Sequence, residues 1–137
     1  ESKSAAAVYN LGLAFRKLGD RKAATADFRL AIDLSPALAA ATFRLGTALA
    51  EAGDRSAAVA SFKKTVMCRP DFVEAWHNLG DSLQALGDFD GAMGAYRQTL
   101  SLAPDAFPRI VNTLASHARG TLWLDFAALK RKLLDNG

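Results

Sequence analysis

The most informative part of the sequence is residues 73–106, which read VEAWHNLGDSLQALGDFDGAMGAYRQTLSLAPDA. Apolar residues recur there at helical spacing in two groups. They are Trp76, Leu79 and Leu83, followed by Ala92, Tyr96 and Leu100. Between the groups, Gly87 suits the left-handed backbone that ends a helix, and Asp88 can cap the next helix. Because Pro104 then stops the second helix, the stretch predicts two amphipathic helices joined by a tight turn.

The same pattern recurs along the chain at a constant offset and without gaps. Three copies keep a Leu-Gly pair, a Gly-Asp turn, an alanine, an aromatic ring and a proline in register. They are Leu11-Gly12, Leu45-Gly46 and Leu79-Gly80; Gly19-Asp20, Gly53-Asp54 and Gly87-Asp88; Ala24, Ala58 and Ala92; Phe28, Phe62 and Tyr96; Pro36, Pro70 and Pro104. One helix pair cannot cover both of its faces, so we expect neighbouring pairs to stack on one another.

These residues resemble the tetratricopeptide repeat (TPR), although Val8 and Thr42 stand at its Trp position in the first two copies. The resemblance covers residues 5–106 and implies an all-α fold, an α-solenoid of antiparallel helix pairs with a right-handed superhelix. We predict a single TPR domain of three repeats and a degenerate capping pair of helices. The domain spans 1–137, with repeat 1 at 5–38, repeat 2 at 39–72, repeat 3 at 73–106 and the capping helices at 107–137.

The last segment departs from the repeat, since Thr113-Leu114 replaces the Leu-Gly pair. Its first helix tolerates Pro108 in the opening turn and carries apolar residues at a spacing of four, namely Ile110, Leu114 and Ala118. After a break at Gly120, a second amphipathic helix is marked by Leu122, Phe126, Leu129 and Leu133. We expect this pair to cover the apolar face of repeat 3.

Composition excludes several classes of function. The 137 residues include one cysteine and two histidines, so no metal-ligand spacing and no cysteine–histidine dyad is present, and we predict no metal, no cofactor and no enzyme activity. Cys68 is expected to be a small buried residue, because it stands at an apolar position of a second helix. The absence of a signal peptide and of a long apolar run predicts a cytoplasmic location and no membrane partner.

The net charge of +3 is unevenly distributed. Repeats 1 and 2 and the last segment carry an excess of basic residues, whereas repeat 3 carries an excess of acidic ones. Nucleic-acid binding needs a contiguous basic face, and the acidic repeat interrupts it. We therefore predict no nucleic-acid partner.

The resemblance to TPR proteins implies that the first helix of each repeat lines a concave groove that holds the partner. One row of that helix, at the same register in each copy, reads Asn10, Arg44, Asn78 and Asn112. Asparagine can pair with both the N–H and the C=O of an extended peptide, and this row resembles the asparagine ladder of O-GlcNAc transferases. A repeat consensus without a binding role is the alternative explanation. The predicted peptide- or protein-binding residues are Tyr9, Asn10, Phe43, Arg44, Thr47, His77, Asn78, Asp81 and Asn112.

A second row places a ring in each repeat, at Tyr9, Phe43 and His77. These rings can stack on the side chains of a peptide, or pack half-buried against a neighbouring helix, which is the more frequent role. His77 lies one helical turn before Asp81, and we expect the two to form a solvated pair.

Three functions remain compatible with the pattern. The first is a non-catalytic scaffold that binds a peptide segment or a partner protein. The second is the substrate-recruiting arm of a larger enzyme such as an O-GlcNAc transferase-like glycosyltransferase, which the absence of a starting Met leaves open. The third is self-assembly through the array ends. The carboxylate clamp of chaperone-binding TPR domains is not predicted, because Glu74 and Asn78 replace its basic residues in repeat 3.

Overall fold

The computed structural model describes residues 4–118, which form seven α-helices and one short 3-10 helix, with no strand among them. They are α1 (Ala5–Lys17), α2 (Arg21–Leu34), α3 (Ala39–Glu51), α4 (Arg55–Cys68), α5 (Val73–Ala85), α6 (Phe89–Leu102), the 3-10 helix (Pro104–Ala106) and α7 (Phe107–Ala118). Consecutive helices pack as the pairs α1–α2, α3–α4 and α5–α6. The predicted all-α fold of helix pairs is confirmed.

The described residues fall into two compact units that divide between Phe72 and Val73. The N-terminal unit contains α1 to α4, and the C-terminal unit contains α5 to α7.

Each helix pair turns at a Gly-Asp dipeptide, as predicted. The φ angle is +84° at Gly19, +89° at Gly53 and +86° at Gly87, in the left-handed region that glycine adopts without strain. The aspartate that follows accepts a hydrogen bond from a backbone amide of the next turn. The pairs are Asp20 and Ala23 at 3.1 Å, Asp54 and Ala57 at 3.2 Å, and Asp88 and Gly91 at 2.9 Å. The second helix of every pair therefore begins with a capped first turn.

The glycine of each Leu-Gly pair lets the two helices of a repeat approach closely. A Cβ atom added at Gly12, Gly46 or Gly80 would lie 2.8, 2.7 or 2.5 Å from the nearest ring carbon of the second helix. Those rings belong to Phe28, Phe62 and Tyr96, which are almost fully buried. A methyl group does not fit at such distances, so the recurring spacing of glycine and ring along the chain is a packing requirement.

The N-terminal unit is held together by apolar contacts between successive helices. One buried cluster joins Val8 of α1, Ala31 of α2 and Ala41 of α3. A second joins Ala24 and Phe28 of α2 to Leu45 of α3. Because both clusters include α3, this first helix of repeat 2 covers the apolar side of repeat 1, as stacking predicts.

In the C-terminal unit, α7 begins at Phe107 and holds Pro108 in its first turn, as the sequence predicted. Ile110, Val111 and Leu114 of α7 are buried. The predicted break at Gly120 and the final helix with Leu122, Phe126, Leu129 and Leu133 lie outside the described residues.

One prediction of burial is wrong: Cys68 is exposed. It is the last residue of α4, whose nearby buried side chains are Thr65 and Val66. Thr65 lies one turn earlier on the same side of α4, so the exposure of Cys68 follows from its place at the end of the helix, where the next residues, 69–71, are exposed as well. Within residues 4–118, no helix is long and apolar enough to cross a membrane.

Candidate functional site

The predicted binding residues of the N-terminal unit lie on α1 and α3. Tyr9 and Asn10 belong to α1, and Phe43, Arg44 and Thr47 belong to α3. Asn10 is exposed, and the other four are half-buried. The Thr47 hydroxyl donates to the Phe43 carbonyl of its own helix at 3.1 Å. The side chains that face outward with polar groups are therefore chiefly Asn10 and Arg44.

A cleft of about 620 Å³ opens between these two helices, and we call it the α1–α3 cleft. It is lined by Asn10, Leu13, Ala14, Arg16 and Lys17 of α1 and by Arg44 of α3. Leu13 and Ala14 form its apolar part, and the remaining side chains are polar or cationic. Two predicted site residues, Asn10 and Arg44, thus lie in the same cleft.

The cleft also contains two cations that the sequence prediction did not select. Arg16 and Lys17 follow Asn10 by six and seven residues, close to two turns further along α1, and both line the cleft. Their place on the first helix of repeat 1 was the feature of the sequence from which they could have been found. In the structure, their positive charge sets them apart from the other lining residues of α1.

Arg44 is held in place by two neighbours. Its Nε donates to the Tyr9 hydroxyl at 3.4 Å, a long hydrogen bond between α3 and α1. Its guanidinium carbon also lies 5.7 Å from the centre of the Phe43 ring, within cation–π distance. Both contacts are with uncharged groups, so they orient Arg44 without neutralising it.

The other two cations of the cleft differ in their partners. The Arg16 Nη2 lies 3.1 Å from the Glu51 Oε1, which forms an exposed ion pair between α1 and α3. Lys17 has no ion pair with any residue in the range 4–118. The cleft therefore keeps positive charge on Lys17 and Arg44.

The three rings of the second predicted row pack against the second helix of their own repeat. The centroid distances are 5.8 Å for Tyr9 and Phe28, 5.9 Å for Phe43 and Phe62, and 5.9 Å for His77 and Tyr96. Phe43 also lies 4.8 Å from Phe72. Of the two roles considered for these rings, the structure displays the packing role.

In the C-terminal unit, Asp81 of α5 binds the core ring of α6. The Tyr96 hydroxyl lies 2.7 Å from the Asp81 Oδ1 and 3.0 Å from the side-chain oxygen of Gln84. A hydroxyl has one proton, and the shorter contact to a carboxylate takes it. The oxygen and nitrogen of the Gln84 amide have nearly the same shape. When the amide is turned so that its nitrogen faces Tyr96, the NH2 group donates a hydrogen bond to the hydroxyl oxygen. Burial and the hydrogen bond to Asp81 raise the pKa of Tyr96 well above its usual range.

The expectation of a solvated pair between His77 and Asp81 is wrong for the histidine, which is only 6% exposed. Its Nε2 lies 3.8 Å from the Asp81 Oδ1, too far for a hydrogen bond, and it has no hydrogen-bond partner. Burial lowers the pKa of His77, and the negative charge of Asp81 only partly opposes this. His77 is therefore a neutral, packed ring rather than an exposed titrating group.

The two remaining asparagines of the predicted row lie in the C-terminal unit. Asn78 is half-buried on α5, and Asn112 is exposed on α7. Nearby, the Arg109 Nη1 and the Glu74 Oε1 lie 3.8 Å apart and connect α7 to α5. No group of three or more potential metal ligands occurs among residues 4–118.

Comparison with known families agrees with the repeated geometry. The family described as tetratricopeptide repeat matches residues 5–38 and, through a second profile of the same description, residues 73–106. The chain is a tetratricopeptide-repeat protein. No curated protein matches this TPR chain.

Several solved structures share the TPR fold of this chain. A structure of the MamA protein is 27% identical with a TM-score of 0.69, and the match covers 77% of this chain and 57% of that one. This TPR chain thus spans little more than half of that protein. The first TPR of Spaghetti (RPAP3), bound to the HSP90 peptide SRMEEVD, is 18% identical with a TM-score of 0.76, over 86% of this chain and 96% of that one. YrrB, a TPR protein with an unusual peptide-binding site, is 24% identical with a TM-score of 0.70, over 86% and 58%.

Proposed function

We propose that this TPR chain is a non-catalytic scaffold that holds a peptide segment or a partner protein against the first helices of its repeats. The observation that carries the proposal is the α1–α3 cleft, which has room for several side chains. Its polar residues, Asn10 and Arg44 among them, are not part of the buried clusters of the N-terminal unit.

Asn10 and Arg44 suit a peptide for different reasons. The exposed Asn10 amide offers both a donor and an acceptor to a peptide backbone, whatever the sequence of the peptide. The Arg44 guanidinium is a planar fork that recognises acceptor pairs. Because Tyr9 and Phe43 restrain Arg44, part of its side-chain entropy is already lost before a ligand binds.

Two proteins with this fold support the proposal. One was solved with the HSP90 peptide SRMEEVD, and the other is described by its peptide-binding site. For the C-terminal unit by itself, the proposed contacts are Asn78 and Asn112, since Asp81 already binds the Tyr96 hydroxyl.

Selection from a random peptide library on the immobilised full chain tests the proposal. We expect enriched peptides to bind the wild type and to lose at least tenfold in affinity for Asn10→Ala/Arg44→Ala, since hydrogen bonds to charged groups contribute about 1.5–3 kcal/mol. Lys63→Ala is the matched control, because Lys63 is an exposed cation of α4 outside the cleft.

Thermal melting of each variant checks that the fold is intact. If Arg44→Ala lowers the melting temperature, Arg44→Gln replaces it, since glutamine keeps part of the length of the arginine side chain. Failure to enrich any peptide, or equal affinity of enriched peptides for wild type and double variant, would contradict the proposal.

A further inference from the structure

The α1–α3 cleft is lined by three cations that do not recur at the same positions of repeat 3. The residues of repeat 3 at the same register as the three cations of the cleft are uncharged. Asn78 corresponds to Arg44, Gln84 to Arg16, and Ala85 to Lys17. The cations of the cleft are therefore not repeated in repeat 3.

Within the cleft, positive charge exceeds negative charge. Glu51 is the one carboxylate paired with a lining cation among residues 4–118, and it pairs with Arg16. Arg44 makes no ion pair within the same part of the chain, and its Nε is bound to the neutral Tyr9 hydroxyl. That bond leaves the N–H groups of both Nη atoms for an incoming acceptor.

The cleft also has an apolar part that favours one kind of anion. Leu13 and Ala14 line it together with the cations. A glutamate side chain carries its carboxylate on methylene groups that can lie on this apolar part, whereas a phosphate or a peptide terminus brings its charge without them. An extended segment can present more than one such side chain to cations from two helices.

We infer that the α1–α3 cleft binds an internal acidic segment of the partner, with glutamate carboxylates on Arg44 and Lys17 and with Asn10 on the peptide backbone. This inference rests on the proposed function and specifies the chemistry of its ligand. It requires neither a free C-terminus nor a modification of the peptide.

Fluorescence anisotropy with labelled, C-terminally amidated peptides tests the inference on the full chain. The probe is a peptide of alternating Glu and Ser, compared with the Gln-Ser peptide of equal length. We expect the Glu-Ser peptide to bind roughly tenfold or more tightly, and Arg44→Gln or Lys17→Gln to remove most of that difference. Lys22→Gln and Lys63→Gln are the charge-matched controls, since both residues are exposed and outside the cleft.

A second comparison separates local recognition from net charge and from loss of fold. Arg44→Lys keeps the charge but loses the planar fork, so we expect an intermediate affinity. Arg16 and Lys17 lie in the last turn of α1, where cations favour the helix, so thermal melting accompanies every variant. Equal weakening by the control variants would overturn the inference.

Other results would overturn it while leaving the proposed function intact. They are equal binding of the Gln-Ser peptide, binding only when the C-terminus is free, and binding only when Ser is phosphorylated. Library selection then still yields neutral peptides that depend on Asn10 and Arg44. If no library peptide binds at all, the proposed function fails together with the inference.

Discussion

The first helices of the two compact units use their polar residues in different ways. In the N-terminal unit, Arg16 and Arg44 line a cleft, whereas in the C-terminal unit Asp81 and Gln84 bind the hydroxyl of Tyr96. The core rings behind these helices differ by one hydroxyl group. The core ring of the second helix is Phe28 in repeat 1 and Phe62 in repeat 2, but a tyrosine in repeat 3.

A buried hydroxyl needs hydrogen-bond partners, and the nearest polar side chains are those of α5. Asp81 and Gln84 thereby acquire a structural role on the helix that we predicted to face a partner. In repeat 3, these two polar side chains of the first helix are therefore engaged by the core hydroxyl.

The largest expected effect comes from overpacking at the helix crossing, where the core ring is a tyrosine in repeat 3 and a phenylalanine in repeat 2. Gly80→Ala places a Cβ 2.5 Å from the Tyr96 ring, which its hydrogen bonds prevent from moving. Because the tethered ring cannot easily shift, we expect an overpacking cost near the upper end of about 1–3 kcal/mol. The gain in helix propensity offsets about 1 kcal/mol, which leaves a net loss of about 2 kcal/mol in the free energy of unfolding by urea. Gly46→Ala is the matched variant, and its loss should be smaller because the Phe62 ring has no hydroxyl to tether it. Equal losses would contradict the tethering.

The next effect tests the tyrosine itself. Tyr96→Phe removes the shared partner of Asp81 and the buried Gln84, so we expect a loss of about 1–2 kcal/mol in the free energy of unfolding. Gln84→Ala in that background recreates the combination of Phe62 and Ala50 in repeat 2 and should recover part of the loss. A double variant less stable than Tyr96→Phe alone would show that Gln84 packs independently of the hydroxyl.

The helix pairs of residues 5–106 could be predicted because their requirements are local and repeated. Turn glycines, capping aspartates and the small residues at the helix crossing recur in every repeat, and their recurrence made them recognisable. For the site, the sequence predicted which helices carry it but not which of their side chains are engaged in packing. Whether Asp81 is free depends on the hydroxyl of Tyr96 in the following helix, and whether His77 is solvated depends on packing against the same ring.

The burial of His77 predicts a pH dependence confined to the C-terminal unit. The pKa of His77 is lowered in the folded state, so the unfolded chain binds a proton more readily, and stability falls as pH decreases through the unfolded value of 6.5. His77→Phe, which copies Phe43 of repeat 2, should reduce this loss. Asp81, Glu74 and Arg109 also face His77, and they remain in both proteins. Urea unfolding of both proteins from neutral pH to pH about 5 measures the difference. Parallel stability profiles would contradict the assignment of a neutral His77.

The smallest effect on stability should coincide with a gain in binding. Glu51→Gln removes the carboxylate paired with Arg16, and exposed ion pairs contribute about 0–1 kcal/mol, so the urea midpoint should hardly change. The freed Arg16 then adds to the positive charge of the α1–α3 cleft, and the Glu-Ser peptide should bind more tightly. Glu74→Gln breaks the ion pair with Arg109 in the C-terminal unit and changes the net charge equally, so it is the matched control. If both variants raise the affinity to the same extent, the gain comes from net charge and the cleft is not the place where the acidic segment binds.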